Sequence, residues 1–179
     1  MKKAYAFVAD GTEESELLCV VDALKRADVE VKIISVSGEI FTSSHGVRIV
    51  ADGVITGNET DADLIFVPGG MPGSAALGSS ETLVSLIKTQ LENGKRVAAI
   101  CAAPAVVLGA HGFLRGKRAT CFSGFENDTA DFTGERVVTD GLVTTAKGLG
   151  AALELGIELV RLLVGDEKAD EIAEKIALM

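Results

Sequence analysis

Ala98-Ala99-Ile100-Cys101-Ala102-Ala103-Pro104 carries the chain from a strand into a helix within a few residues. Residues 97–100 form an apolar run with no polar alternation, the pattern of a strand buried on both faces. The alanines flanking Cys101 are small enough for a tight elbow, and Pro104 suits a first helical turn, where its missing N–H costs nothing. The helix is read over residues 102–110. A thiol on such an elbow faces the positive end of a helix dipole, which predicts a lowered pKa and a reactive thiolate. Elbow nucleophiles need this strand–turn–helix setting. The competing reading of Cys101 is a small buried hydrophobe, a common use of free Cys.

On either side of the elbow, apolar runs alternate with helical spacings. Residues 4–8 read as a strand, and Leu17, Leu18, Val21 and Leu24 follow at helical spacing. Residues 29–36 form the next strand, with short alternating pieces around Phe41 and residues 47–49. Leu64-Ile65-Phe66-Val67 is stopped by Pro68-Gly69-Gly70. Residues 80–93 have helical spacing, with Gly94 as the residue past the C-terminus. Asp140-Gly141 between two short strands signals a hairpin. Residues 149–164 predict a long apolar helix, and residues 166–178 a charged amphipathic one. Strands alternating with helices predict one doubly wound α/β domain over residues 1–179, a mostly parallel sheet with helices on both faces. Ligands of such sheets sit outside the carboxyl ends of the strands. Residues 10–15, 68–74 and 101–104 are the loops placed there.

Composition narrows the function. The 17 Lys and Arg against 26 Asp and Glu give a net charge of −9. That balance argues against a direct nucleic-acid-binding face and against docking on anionic membranes. One Tyr and seven Phe offer no base-stacking platform. Hydrophobic residues make up 47% of the chain, enough for a core that hides roughly 70% of the unfolded surface. The first apolar run breaks at Asp10-Gly11, too early for a secretory signal, and no segment has the length of a membrane span. Cys19, Cys101 and Cys121 are odd in number and widely spaced, as free thiols in a reducing compartment are; a cytoplasmic protein is expected.

Three further motifs bear on chemistry. In Gly11-Thr12-Glu13-Glu14-Ser15-Glu16, Thr12 is positioned to cap a helix, with Glu13 and Glu14 as first-turn acids. Glu16 opens the apolar stripe beside Leu17. Pointing inward, it would meet Cys101, and a protonated carboxyl there would hydrogen-bond a thiolate. In Pro68-Gly69-Gly70-Met71-Pro72-Gly73, the glycines allow close backbone approach, and a free N–H would stabilise an oxyanion or an oxidised sulfur. Gly148-Leu149-Gly150 mimics part of a nucleotide fingerprint but comes late, after a hairpin. His45 and His111 are read as turn or surface residues, Cys19 and Cys121 as core. No His/Cys/Asp group has metal-ligand spacing, so neither metal nor cofactor is expected.

The residues 11–16, DALKRA, VPGG, AAICAAP and LVGDEKA together resemble the DJ-1/ThiJ/PfpI family of the glutamine amidotransferase-like superfamily, most of all its bacterial YajL/ThiJ branch. The resemblance spans nearly the whole chain. It implies a flavodoxin-like fold, a homodimer, Cys101 as the oxidisable nucleophile and Glu16 as the carboxyl partner of its sulfur. It places the N–H groups of Gly70 and Ala102 around a bound anion or oxidised sulfur. Three positions depart from other members. Ala102 stands where protease-like relatives carry His, which argues against peptidase activity. Phe122 stands at about the place where many relatives carry a His near the site; the YajL branch also has an aromatic there. His45 stands where relatives often have a dimer-proximal Arg.

What the resemblance implies is a cysteine-dependent stress-protection protein, glyoxalase- or deglycase-like toward small reactive carbonyls or glycated adducts. A redox-responsive chaperone or sensor using the same thiol is the alternative. A nucleotide-binding flavodoxin-like module is the third, and the acidic loop 10–14 suits a phosphate poorly.

Overall fold

The computed structural model describes residues 1–178. Its strands are β1 (Lys3–Val8), β2 (Glu30–Ser35), β3 (Ile40–Thr42), β4 (Arg48–Val50), β5 (Gly53–Val54), β6 (Leu64–Val67), β7 (Arg96–Ile100), β8 (Arg118–Ala119), β9 (Asp131–Phe132), β10 (Val137–Asp140) and β11 (Val143–Ala146). The α-helices are α1 (Glu14–Arg26), α2 (Gly73–Ser79), α3 (Glu81–Glu92), α4 (Ala152–Leu163) and α5 (Asp166–Lys175). A seven-stranded sheet runs β10-β11-β7-β6-β1-β2-β5, and the hairpin β3–β4 stands apart from it. Every pair in the large sheet is parallel except β10–β11, the hairpin expected at Asp140-Gly141. The doubly wound flavodoxin-like fold expected from the sequence is thus present.

Strand periodicity splits the core into two layers. Ala4, Ala6 and Val8 of β1, with Ala98 and Ile100 of β7, pack beneath α1, α4 and α5. Tyr5, Phe7, Val97 and Ala99 face the other way, toward α2, α3 and the segment after Cys101. Because both faces are covered, β6 and β7 are almost wholly apolar, which is why they read as continuous runs. On the first face α1 lies against α4 at unusually short range. A Cβ on Gly156 would sit 2.7 Å from the Cβ of Ala23, so only glycine permits this crossing.

Sheet order fixes the site. From β1 the chain winds outward to β2 on one side and later returns to β6 on the other, so the strand order reverses beside β1. A crevice forms outside the strand ends at such a point. The loops after β1, β6 and β7 all open there, carrying Gly11–Glu13, Pro68–Gly70 and Cys101.

Two local expectations are corrected. The segment after Cys101 is not an α-helix: Pro104–Gly109 is a π-helix, shown by the Ala110 N–H donating to the Ala105 carbonyl at 3.0 Å. Thr12 does not cap α1. Its hydroxyl turns back to accept from the Ala9 N–H at 3.0 Å, and Glu13 is the cap instead, accepting from the Ser15 N–H.

Candidate active site

Cys101 has φ of +65°, the left-handed region that costs a non-glycine residue about 1–3 kcal/mol. Neighbours hold it there from both sides. Its N–H donates to the Ala146 carbonyl of β11 at 2.9 Å, and its carbonyl accepts from the Phe122 N–H at 2.8 Å. The strained turn lifts the side chain off the end of β7, and the thiol remains partly accessible.

Glu16 enters from α1. Its place in the first turn, next to Leu17 on the buried stripe, points it at the strand ends, and it is only 1% exposed. One oxygen accepts from the Gly69 N–H at 3.0 Å. The carboxyl also hydrogen-bonds Cys101 and takes the Leu149 N–H. Burial is the main cause that pushes the Glu16 pKa up to about 7, with the nearby Glu13 charge adding to it. Below about pH 7 the carboxyl is therefore mostly protonated and can donate to sulfur, whereas above it the thiol donates to the carboxylate.

The thiol does not behave as the helix dipole alone predicts. Burial, then the charge and hydrogen bond of Glu16, push Cys101 up to about 12. The Gly70 and Ala102 N–H groups oppose this by favouring a thiolate, and they do not outweigh it. The expected lowering is overturned because the thiol is buried beside a carboxyl that becomes charged. Two groups share one proton here, so a negative sulfur requires a protonated Glu16.

Two glycines make the arrangement possible. A Cβ on Gly69 would lie 2.5 Å from both the Cys101 Cβ and Glu16 Oε2. Gly70 has φ of +90°, and a Cβ there would lie 2.4 Å from the Glu13 nitrogen and the Gly11 carbonyl oxygen. Sequence reading assigned both glycines to ligand approach. The structure gives Gly69 to Glu16 and leaves Gly70 facing the sulfur. Leu149 was missed as a partner of Glu16. It adjoins the crevice because β11 pairs with β7 and leads into α4.

Cys101, Glu16, Gly70 and Ala102 are thus brought together. His45 is not with them. It lies on the turn between β3 and β4, largely exposed, with Nδ1 3.1 Å from Glu13 Oε2 and 3.5 Å from Glu14 Oε2. Sequence spacing gave no metal-ligand group, yet folding brings Glu13, Glu14 and His45 within 4.8 Å of one another at their ligand atoms. The Ser44 hydroxyl donates to Glu13 at 2.6 Å in the same cluster. His111 is on the surface against the Gly78 carbonyl. Cys121 is buried, as expected, whereas Cys19 is only partly so.

Phe122 is half exposed and stands beside the elbow, its ring edge-on to Phe125. It borders a 280 Å³ recess whose floor is Gly148-Leu149-Gly150-Ala151.

The DJ-1/PfpI family model matches residues 2–162. Protein DJ-1 homolog B of Arabidopsis thaliana is 37% identical over 99% of this chain; the chain spans 42% of that relative's length. The glutathione-independent glyoxalase DJR-1.2 of Caenorhabditis elegans is 32% identical, matched over 94% of this chain and 92% of its own. The solved structure of oxidized Toxoplasma gondii DJ-1 superposes with a TM-score of 0.95 at 37% identity, covering 99% of this chain and 98% of that one. Likeness along nearly full length, in sequence and in backbone, makes this chain a member of the DJ-1/PfpI family.

Proposed function

We propose that the protein is a cysteine-dependent stress-protection enzyme that converts small reactive 2-oxoaldehydes, or their adducts, to 2-hydroxy acids. The observation that carries this reading is the buried Glu16 carboxyl hydrogen-bonded to the Cys101 thiol, with the Gly70 and Ala102 amides on the same sulfur. The similar chain from Caenorhabditis elegans, named as a glutathione-independent glyoxalase, supports it.

The steps follow from proton sharing. With Glu16 protonated, the Cys101 thiolate attacks the aldehyde carbon, forming a C–S bond while the carbonyl oxygen gains negative charge. The Gly70 and Ala102 N–H groups stabilise that oxyanion, and Glu16 delivers its proton to it. The product is a hemithioacetal. Glu16, now ionised, removes the proton from the former aldehyde carbon and returns it at the neighbouring carbon through an enediol. That leaves a thioester of the 2-hydroxy acid. Water hydrolyses it, releasing the acid and restoring the thiol. The overall change adds one water and needs no outside oxidant. Neither metal nor cofactor enters the scheme.

A second reading keeps the same residues. Cys101 becomes a sensor that peroxide converts to a sulfinate, stabilised by a protonated Glu16 and the two amides. The solved relative described as oxidized favours it. Following D-lactate formed from methylglyoxal, by wild type and Cys101→Ser, separates the two. Direct product measurement distinguishes turnover from reversible thiol addition. Cysteine-dependent lactate supports the enzyme; absence of lactate with clean sulfinate formation supports the sensor.

We further propose one domain over the whole chain, a cytoplasmic location, membership of the YajL/ThiJ branch and a homodimer. Exposed apolar side chains support the dimer: Leu18 on α1, and Ile40, Val47 and Val50 on or beside the β3–β4 hairpin. The Gly11 N–H donates to the Thr42 carbonyl and the Ser44 N–H to the Thr12 carbonyl, tying that hairpin to the loop before α1. His45 would then lie near the partner. Among the described residues no helix is long and apolar enough to cross a membrane.

A further inference from the structure

We infer that Glu13, Glu14 and His45 form a binding site for one divalent transition-metal ion, with zinc the ion that best fits its donors and dimensions. The inference stands apart from the reading of Cys101 as nucleophile, because the thiol supplies none of the ligands. Glu13 Oε2 lies 3.1 Å and Glu14 Oε2 3.5 Å from His45 Nδ1, and the three ligand atoms all lie within 4.8 Å of one another. Ligands of a tetrahedral zinc, each bound at about 2.0–2.2 Å, stand roughly 3.3–3.6 Å apart. Charge-assisted N–H···O bonds are shorter, about 2.7–2.9 Å. The spacing thus fits donors gathered around an ion better than side chains closed onto one another. The Ser44 hydroxyl, 2.6 Å from Glu13 Oε2 and 3.3 Å from Glu14 Oε2, is placed to orient both carboxylates from behind.

Charge argues the same way. The two carboxylate side chains are only 11% and 13% exposed, and among the described residues no Lys or Arg pairs with either. Their counter-charge is an imidazole, which is charged only when protonated. Carboxylates so enclosed are ordinarily paired or bound to a metal. A divalent ion supplies the missing charge. One imidazole among carboxylates suits zinc, whereas calcium and magnesium take oxygen ligands. The backbone holds the ligands in position beforehand. The Glu13 N–H donates to the Gly69 carbonyl at 2.9 Å, and the Ser44 N–H to the Thr12 carbonyl at 2.8 Å. The Ser43 hydroxyl accepts from the Val47 N–H at 3.0 Å, closing the turn that carries His45. His45 is 71% exposed, so an ion can enter from solvent and keep water in its fourth position. Bound there, it clips the turn between β3 and β4 to the start of α1.

The test titrates zinc chloride into the full chain carrying Cys101→Ser, which removes the reactive thiol as a competing ligand, and follows binding by calorimetry. One zinc per chain should bind, and millimolar magnesium or calcium should not displace it. His45→Ala and Glu14→Gln, each added to that background, should weaken binding ten-fold or more. His45→Ala alters an exposed turn residue, so its metal-free urea midpoint should match that of its parent, which separates a lost ligand from a lost fold. Zinc should raise the thermal midpoint of the parent and leave that of His45→Ala unmoved. Cobalt in place of zinc should give the intense visible bands of a tetrahedral ion, without a sulfur-to-cobalt charge-transfer band, and His45→Ala should abolish them. Failure of the Cys101→Ser protein to bind zinc overturns the site. So does binding that neither substitution weakens, or a sulfur-to-cobalt band that assigns the ion to Cys19 or Cys121.

Discussion

Glu16→Gln isolates the role of the shared proton. In the wild type, the protonated pair loses its first proton near pH 7, the value to which burial pushes Glu16. From there upward the pair carries one negative charge, and a second is resisted until Cys101 titrates at about 12. The thiolate fraction, and with it the alkylation rate, should therefore climb to about pH 7 and then flatten. Gln keeps an acceptor for the Gly69 N–H and a donor for the sulfur but cannot ionise. A unit charge roughly 4 Å away contributes about 4 kcal/mol at an effective dielectric of about 20, or close to three pKa units. Without that charge the variant's rate should keep climbing about ten-fold per pH unit beyond 7, until the thiol itself titrates. By pH 9 it should exceed wild type at least ten-fold. Stability moves with the same proton. A Glu whose folded pKa is raised from 4.5 to about 7 stabilises the fold fully below 4.5 and loses that contribution as pH rises through 7. The span is roughly 3 kcal/mol, so Glu16→Gln should gain relative to wild type above pH 7. Rates of iodoacetamide labelling at Cys101 from pH 6 to 9, with urea unfolding at both ends, provide the check. Parallel rate curves across that range would refute proton sharing.

Three further outcomes are expected. Limited alkylation followed by peptide mapping should label Cys101, which is partly accessible, ahead of Cys121, which is only 2% exposed; preferential labelling of Cys121 would undo the site. Gly69→Ala should lose about 1–3 kcal/mol of stability in urea and unmake the plateau in the rate profile, because its methyl would displace both Cys101 and Glu16; an unchanged profile would refute the close-packing argument. Val50→Lys with Leu18→Lys should shift the proposed homodimer toward monomer in sedimentation at micromolar concentration; a native-like dimer would move the interface elsewhere.

The elbow was legible because each of its needs leaves a local mark: an apolar strand, small flanking residues and a proline at the helix start. Glu16 was legible for a similar reason, an acid sitting on an otherwise apolar stripe. Thr12 misled because its hydroxyl had two backbone N–H groups within local reach, and the sharp turn at Gly11 favours the one behind it. The thiol pKa misled because a dipole is a local property, whereas burial and the Glu16 charge arrive from distant segments. Leu149 was illegible for that reason too: its N–H meets Glu16 only after β11 pairs with β7. The π-helix has no mark in composition, since Pro104 suits the first turn of either helix type.

The Gly156–Ala23 contact has a bearing on chemistry well away from it. Ala23 lies two helical turns beyond Glu16 on α1, roughly 10 Å along the axis. With no side chain interposed at the crossing, the seating of that helix is set by backbone against a single methyl. The insertion depth of the carboxyl is consequently calibrated from the opposite end of a rigid rod. Sequence drift at position 156 would retune proton exchange at the sulfur while every residue around that sulfur stayed the same.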